Sequence, residues 1–415
     1  MKSVAQRVEQ VLASAGEQRE QVDALKALCA VEAQACAEAG SRAGAGAPLI
    51  ELIRALARDV VPLVVSRPVL VHAADAVAAL PRESILAVAK AGLDAIKERR
   101  VAFDEVDGKL REAYGAALAE SEQYIEAARV LSAINLESGR FSDAQKARQY
   151  VRITELFLEE DETVDAELFL NRAGQYVFSC EDPLVQVRHT VSHARILDSK
   201  RKFLEAAQRF YALSTATLEV GGQALPVAED DLSHLLNKSL TCALLASAGP
   251  QRTRMLNQLY KDERTRAFAD HWPVLEKMFM ERILTKHEVT KFEATLEPHQ
   301  KAILADGSSV LERAVVEHNM LAAQKVYTNV AFDELAKLLA IEPAQAEKIS
   351  SRMIKEGRMR ASVDQVAGVL HFDQTESLFD DFDSRIAQLC HDLDKVLETI
   401  DNKYPGMAAL PDATA

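Results

Sequence analysis

The residues of this sequence whose types and spacing could do chemistry are a few histidines, a glycine turn or two and one acidic run. His189 and His193 stand four apart, on one face of a helix, the spacing at which two imidazoles can share a zinc ion. No third carboxylate or thiol stands at a useful local spacing, so the pair reads as ordinary surface or core histidine. His287-Glu288-Val289-Thr290-Lys291 begins like a zinc-protease helix but places Lys291 where the second histidine is required. Gly44 and Gly46 beside Pro48 suggest a phosphate loop, yet no Lys-Ser/Thr follows and no strand precedes, so residues 41–48 read as a linker. Asp306-Gly307-Ser308-Ser309 could cradle an anion, although Ser308 or Ser309 capping a helix from Val310 is the simpler account. Glu159-Glu160-Asp161-Glu162 reads as a solvated acidic loop. Cys29, Cys36, Cys180, Cys242 and Cys390 are scattered, odd in number and free of any Cys-x-x-Cys pair, which suits buried reduced thiols. The expectation is a chain with no catalytic residue, no metal and no cofactor.

A protein without chemistry of its own works through its surfaces, so the elements matter more. The chain has 415 residues, 48% of them hydrophobic, with only 16 Gly and 12 Pro. It can bury a large core, and its Ala, Leu and Glu content favours a mostly helical fold. A net charge of -14 excludes a general affinity for nucleic acid or anionic membranes. No apolar run approaches the roughly 20 residues of a membrane helix, and the first residues lack a signal-peptide core.

The strongest internal signal is a repeat between Lys109 and Leu213. Segments starting at Glu122, Asp161 and Arg201 align with one another, 39 and 40 residues apart, and each follows a helical stretch (110–118, 150–158, 191–197). Paired antiparallel helices crossing at small alanines, stacked as a solenoid, account for this. Before the repeat, helices broken at Pro62, Pro68 and Pro81 are expected; after it, residues 223–230 read as a loop and Gly249-Pro250 as a helix break.

From Val330 to Phe372 the pattern changes to a winged helix. Val330-Ala331 starts an edge strand, and Phe332, Leu335, Leu338 and Leu339 follow at helical spacing. Pro343 opens a second helix, Gly357 ends it in the left-handed conformation, and residues 359–363 and 369–372 form a hairpin. Six cations balance six anions between Thr328 and Phe372, and Glu347 and Glu356 sit where a DNA-reading helix wants Lys or Arg, so protein contact is the expected use. Beyond it Leu378, Phe382, Ile386, Leu389, Leu393, Val396 and Ile400 step by 4, 4, 3, 4, 3 and 4. This is a near-heptad seam on one long amphipathic helix, and such a seam needs something to pack on.

Helical repeats leading into a winged helix and a terminal helix form the arrangement of PCI-domain proteins, the scaffold subunits of the proteasome lid, the signalosome and translation initiation factor three. The sequence resembles the signalosome branch of that family through residues 195–209, 245–256, 261–264 and above all 298–319, Pro298-His299-Gln300-Lys301 to Glu317-His318-Asn319, followed by 346–349 and 353–359. The resemblance is strong from about Tyr150 to Phe372 and weak before Lys109. It implies an N-terminal helical-repeat arm over residues 1–190 and a PCI domain over 191–372, helical to 327 and winged from 328. A bundle helix at 374–403 and a tail at 404–415 follow. It implies a non-catalytic subunit, in cytoplasm and nucleus, of the complex that removes a ubiquitin-like modifier from cullins, with other PCI subunits, a metalloprotease pair and cullin-RING ligases as partners. Arg358, Met359, Arg360, Val363, Val369 and Phe372 are then expected to extend a neighbour's sheet, and the terminal seam to enter a common bundle. A proteasome-lid counterpart and a free-standing helical-repeat adaptor are the alternatives.

Overall fold

The computed structural model describes residues 4–13, 18–39, 46–59, 61–180, 182–215, 219–220, 223–224, 228–303, 308–372 and 378–403. Most of the 41–48 linker, Asp306-Gly307, the 225–227 part of the 223–230 loop and the 404–415 tail therefore lie outside the described residues.

Helices dominate, as the composition requires. The first six are α1 (Val4–Ala13), α2 (Gln18–Ala39), α3 (Ala47–Ala57), α4 (Leu63–Ala78), α5 (Arg82–Ile96) and α6 (Asp104–Glu120). The repeat continues through α7 (Tyr124–Ser132), α8 (Asp143–Glu159), α9 (Thr163–Val177), α10 (Pro183–Ser199) and α11 (Phe203–Thr215). Pro62 and Pro81 precede helices, but Pro68 lies inside α4. It sits in the second turn, where its missing N–H removes a single ladder bond, and the buried Val65, Val69 and Ala73 hold the helix together around it.

The three aligned segments begin at one backbone device. Glu122, Asp161 and Arg201 adopt φ of +61°, +58° and +61°, closing α6, α8 and α10. The N–H of the following residue donates back five positions, Gln123 to Leu118, Glu162 to Phe157 and Lys202 to Leu197, at 2.9 to 3.0 Å. This is the Schellman closure, usually built on glycine and here on charged residues. It reverses the chain within two residues, so α6/α7, α8/α9 and α10/α11 pack as antiparallel hairpins. Ala127, Ala166 and Ala206 are completely buried at the crossings, where any larger side chain would push the helices apart.

The chain then forms the two-residue strands β1 (Glu219–Val220) and β2 (Gln223–Ala224), paired antiparallel. Gln223 and Ala224 thus leave the expected loop for a strand. Five helices follow: α12 (Glu229–Leu245), α13 (Pro250–Lys261), α14 (Trp272–Phe279), α15 (Lys286–Ala294) and α16 (Val310–Val326). Ser309 caps α16 reciprocally with Glu312. The winged unit comprises β3 (Asn329–Ala331), α17 (Phe332–Leu339), α18 (Pro343–Lys355), β4 (Ala361–Asp364) and β5 (Val369–Phe372), and α19 (Leu378–Lys403) closes the described chain. Pro343 is the first residue of α18, and Gly357 follows it at φ +68°.

The core runs along the chain as four successive clusters. α16 belongs to two of them. Its Val310, Leu311 and Val315 complete the cluster begun at Ala194, while Val316, Met320 and Ala323 lie under the winged unit.

Polar side chains lock these cores together. Glu317, with 1% of its side chain exposed, accepts from Arg313 Nε (3.1 Å), from Arg358 Nη1 (2.5 Å) and from the Ala248 N–H (3.4 Å). Burial alone would raise this carboxyl, but the two guanidiniums outweigh it and hold Glu317 below its ordinary value. Next to it His318 donates to the Arg282 carbonyl (2.9 Å), and Asn319 bonds both the N–H and the carbonyl of Leu284. Burial lowers His318 to about 4, so it is neutral in the fold at physiological pH. Completely buried Arg252 donates to the carbonyls of Ala243 and Leu244. A second lock forms on Asp198 of α10. Gln300 Nε2 donates to both its oxygens (3.2 and 3.1 Å), His299 Nε2 bonds Oδ2 (3.1 Å), and Cys242 Sγ donates to Oδ1 (3.5 Å).

Removing one partner from the first lock leaves buried charge behind, so Glu317→Gln is expected to cost about 3 kcal/mol, read by chemical denaturation. Because the folded pKa of Glu317 is lowered, its contribution stands above the ordinary glutamate pKa and disappears as pH falls through the lower folded value. A wild-type minus Glu317→Gln difference that stays unchanged on acidification would contradict this. His299 runs the other way: its bond to Asp198 raises its pKa, so that contribution is full below about 6.5 and declines as pH rises through the raised value. The wild-type minus His299→Gln difference in stability should accordingly shrink toward alkaline pH.

Candidate partner-binding surfaces

The residues that suggested chemistry resolve into structure. His189 and His193 lie half-buried on α10 with ring centroids 6.3 Å apart, and burial lowers both pKa values. Among the described residues the one grouping with ligating atoms close enough for a metal is a different one, Asp198, Glu297 and His299. Its geometry is that of an imidazole ring set between two carboxylates. Nε2 faces Asp198 at 3.1 Å while Nδ1 faces Glu297 at 3.5 Å, so the two acids engage different ring nitrogens and do not converge on one lone pair. Both Asp198 oxygens already accept from Gln300. Sequence reasoning missed this group because its members are a hundred residues apart. His287 and Glu288 fall in α15, where Glu288 closes a capping box with Thr285 and pairs with Lys277 at 2.8 Å. Of the acidic run at 159–162, Glu159 is the last residue of α8 and pairs with Arg195 at 2.9 Å, and residues 160–162 form the turn to α9.

The surfaces are more informative. The winged sheet has strand order β3-β5-β4, so Val369–Phe372 is its central strand and has no free edge. This corrects the expectation for Val369 and Phe372: β3 and β4 already take both sides of the strand, and Phe372 is 5% exposed. Met359 is buried as well, and Arg358 turns inward to Glu317. Arg360 is exposed and Val363 partly so, beside and within the edge strand β4.

The hydrogen bonds identify which groups of the edges are open. Phe332 N–H donates to the Gly368 carbonyl and Phe372 N–H to the Thr328 carbonyl, each at 2.9 Å. In an antiparallel ladder each residue directs its N–H and C=O to one side, alternately. Leu370 and Phe372 therefore serve β3, Val369 and His371 serve β4, and Ser362 and Asp364 answer from β4. Ala361 and Val363 turn their backbone groups outward, as do Asn329 and Ala331 on the opposite edge.

The largest apolar exposure belongs to α19. Phe382, Ile386, Leu389, Leu393, Val396 and Ile400 are between 39% and 63% exposed; Leu378 begins the helix, though its side chain is outside the described residues. With Ile386, Leu393 and Ile400 at heptad position a and Phe382, Leu389 and Val396 at d, Leu397 (55% exposed) and Cys390 fall at e. Stepping strictly by three and four skips those two. An a/d/e stripe is wider than the seam of a two-stranded coil and needs more than one neighbouring helix to cover it.

Comparison with known proteins agrees with this architecture. The family described as PSMD12/CSN4, N-terminal, matches residues 7–218, just over half of the chain, and the PCI domain matches residues 291–374. The chain is 43% identical over 349 residues to COP9 signalosome complex subunit 4 of Arabidopsis thaliana, covering 83% of this chain and 87% of that protein. It is 40% identical to the same subunit of Dictyostelium discoideum, over 86% of this chain and 89% of the relative. With Drosophila melanogaster subunit 4 the identity is 39%, over 85% of each. A helical solenoid ending in a winged helix and a terminal amphipathic helix, with relatives of this likeness along most of its length, belongs to the PCI-domain family of COP9 signalosome complex subunit 4.

Proposed function

We propose that this chain is a non-catalytic scaffold subunit of a signalosome, the complex that removes a ubiquitin-like modifier from cullins, and that it acts by joining neighbours rather than by chemistry. The observation that carries this reading is the open a/d/e stripe of α19. A helix with that much apolar surface has a use only where several other helices meet it. The bundle of an assembled particle supplies them. The outward backbone groups of Ala361 and Val363, or those of Asn329 and Ala331, extend the sheet of an adjacent PCI subunit by strand addition. The α1 to α11 solenoid is the arm that reaches toward the cullin-RING ligase, and the locks at Asp198 and Glu317 give substrate contact on the arm a continuous route to the winged unit and the metalloprotease pair. Such a subunit works in cytoplasm and nucleus and needs neither nucleic acid nor membrane.

Tagged purification with identification of partners by mass spectrometry tests the host particle. A metalloprotease subunit together with cullins supports the reading, and proteasome base and lid subunits would move the chain to the lid. Within the chain, Leu389→Asp with Leu393→Asp should release it from the complex while circular dichroism and thermal midpoint stay unchanged. Each leucine is worth about 1.5–3 kcal/mol on burial and supports nothing in the free chain; retained assembly would refute the bundle. Val363→Pro removes an outward N–H and none of the β5 bonds. It should leave the fold intact and weaken assembly at least tenfold if β4 is the docking edge, whereas full assembly would transfer that role to β3.

A further inference from the structure

The ring of His299 meets a carboxylate at each of its nitrogens: Asp198 Oδ2 lies 3.1 Å from Nε2, and Glu297 Oε2 lies 3.5 Å from Nδ1. A neutral imidazole has one N–H and one lone pair, so it can donate to only one of these acids and turns a lone pair toward the other. The protonated ring donates to both. We propose that this arrangement is a proton-operated clasp, closed when His299 is charged, which holds the turn of residues 297–301 against α10 and loosens it when the proton leaves. The clasp belongs to the chain itself and does not depend on which particle receives the chain.

The groups around the ring make the proton decisive. Asp198 keeps 6% of its side chain exposed, and its other partners are neutral, the Gln300 amide and the Cys242 thiol of α12. Burial, helped by Asp198, raises that thiol so that it stays protonated. Lys238, also on α12, reaches Glu297 at 3.2 Å, and Asp161, in the turn between α8 and α9, adds negative potential at the ring. With His299 charged, two cations face these three carboxylates; without it Lys238 remains alone. The bond to Asp198 is the largest of the influences that raise the His299 pKa, and together they outweigh burial. His189, His193, His271 and His318 are shifted the opposite way, each chiefly by burial.

Loss of the proton opens a turn and not the fold. Phe292 and Leu296, just ahead of the turn, are buried with Leu275 and Met278 in contacts that do not titrate. The turn itself is closed by the Gln300 and Lys301 N–H groups on the Glu297 carbonyl (3.0 and 3.2 Å) and by the Glu297 N–H on Gln300 Oε1 (3.2 Å). Gln300 therefore serves two contacts at once, its amide oxygen capping the turn while its amide nitrogen holds Asp198. Once the ring lets go, Gln300 is the one side chain of the turn still bonded to Asp198, and the turn's own hydrogen bonds share its fate. Such a local opening lies well below global unfolding in free energy.

Hydrogen exchange of the full-length chain tests the clasp. Because the folded pKa of His299 is raised, the contact is complete below the ordinary histidine value and is lost as pH rises through the higher folded one. Protection of a peptide spanning residues 296–303, corrected for the intrinsic pH dependence of amide exchange, should be at least about threefold greater at about pH 6 than at about pH 8. His299→Gln keeps a neutral donor for Asp198 and removes the titration, so its protection should be the same at both pH values, whatever its absolute level. By NMR the His299 ring should titrate above the ordinary histidine value in the wild type and at a lower pH in Glu297→Gln, whose change is at a half-exposed side chain. Equal wild-type protection at the two pH values overturns the proposal, as does a loss of protection that persists in His299→Gln. A loss shared equally by peptides from α12 and α14 overturns it too, because the whole chain would then be loosening and not the turn.

Discussion

One buried carboxylate organises the C-terminal half of this molecule. Glu317 sits in the middle of α16, the helix whose two ends serve different cores, and it faces Arg313 on its own helix, Arg358 at the end of the winged unit's second helix and the Ala248 N–H ahead of α13. An isolated carboxylate in that position would be strongly unfavourable. Two guanidiniums and a backbone donor reverse the balance, and the arrangement is satisfied only when all three segments are in place. Hydrophobic packing under the winged unit is tolerant of small slips, because apolar contact has little direction. The charged node is not, and it sets the angle at which the winged unit meets the helices.

The rest of the design follows from holding that angle. A scaffold delivers its sheet edges and terminal helix to neighbours at fixed orientation, so the elements upstream must be rigid. Schellman closures at Glu122, Asp161 and Arg201 make the repeat hairpins tight. Ion pairs across successive units, such as Arg148 with Asp182, Arg188 with Glu155 and Arg195 with Glu159, add direction to a stack that apolar burial alone would leave free to slide. Exposed pairs of this kind contribute little stability individually, so their value lies in register. Asp198 then fastens the last repeat to the segment before α16, across a hundred residues of sequence.

How much of this could be read in advance depended on whether the determinant was local. Pro343 opening α18, Gly357 closing it and serine capping of α16 are decisions made within four residues, and they were legible. So was the repeat, because its three segments recur at nearly equal spacing. The three short strands were found, but which of them lies in the middle was not: a residue such as Phe372 looks the same whether one or two neighbours flank it, and order is settled by the return of β3. Arg358 looked like a surface cation because its partner lies 41 residues away. The family resemblance rested above all on residues 298–319, for which the sequence alone offers no physical reason. The structure supplies one, since Gln300, His299, Glu317, His318 and Asn319 are the side chains that make the long-range polar contacts.

The same logic explains how the buried polar groups among the described residues are used. A buried histidine or carboxylate poised for chemistry keeps one side open to a substrate. Here each is closed on every side that matters: His318 is neutral and spent on a carbonyl, Asp198 has both oxygens engaged, and Glu317 faces two arginines. Among the described residues, backbone at two sheet edges and an apolar stripe on one helix stay open, groups suited to contact by shape and by burial. The polar residues hold the frame, and the apolar and backbone groups left outside it are the ones the proposed assembly would use.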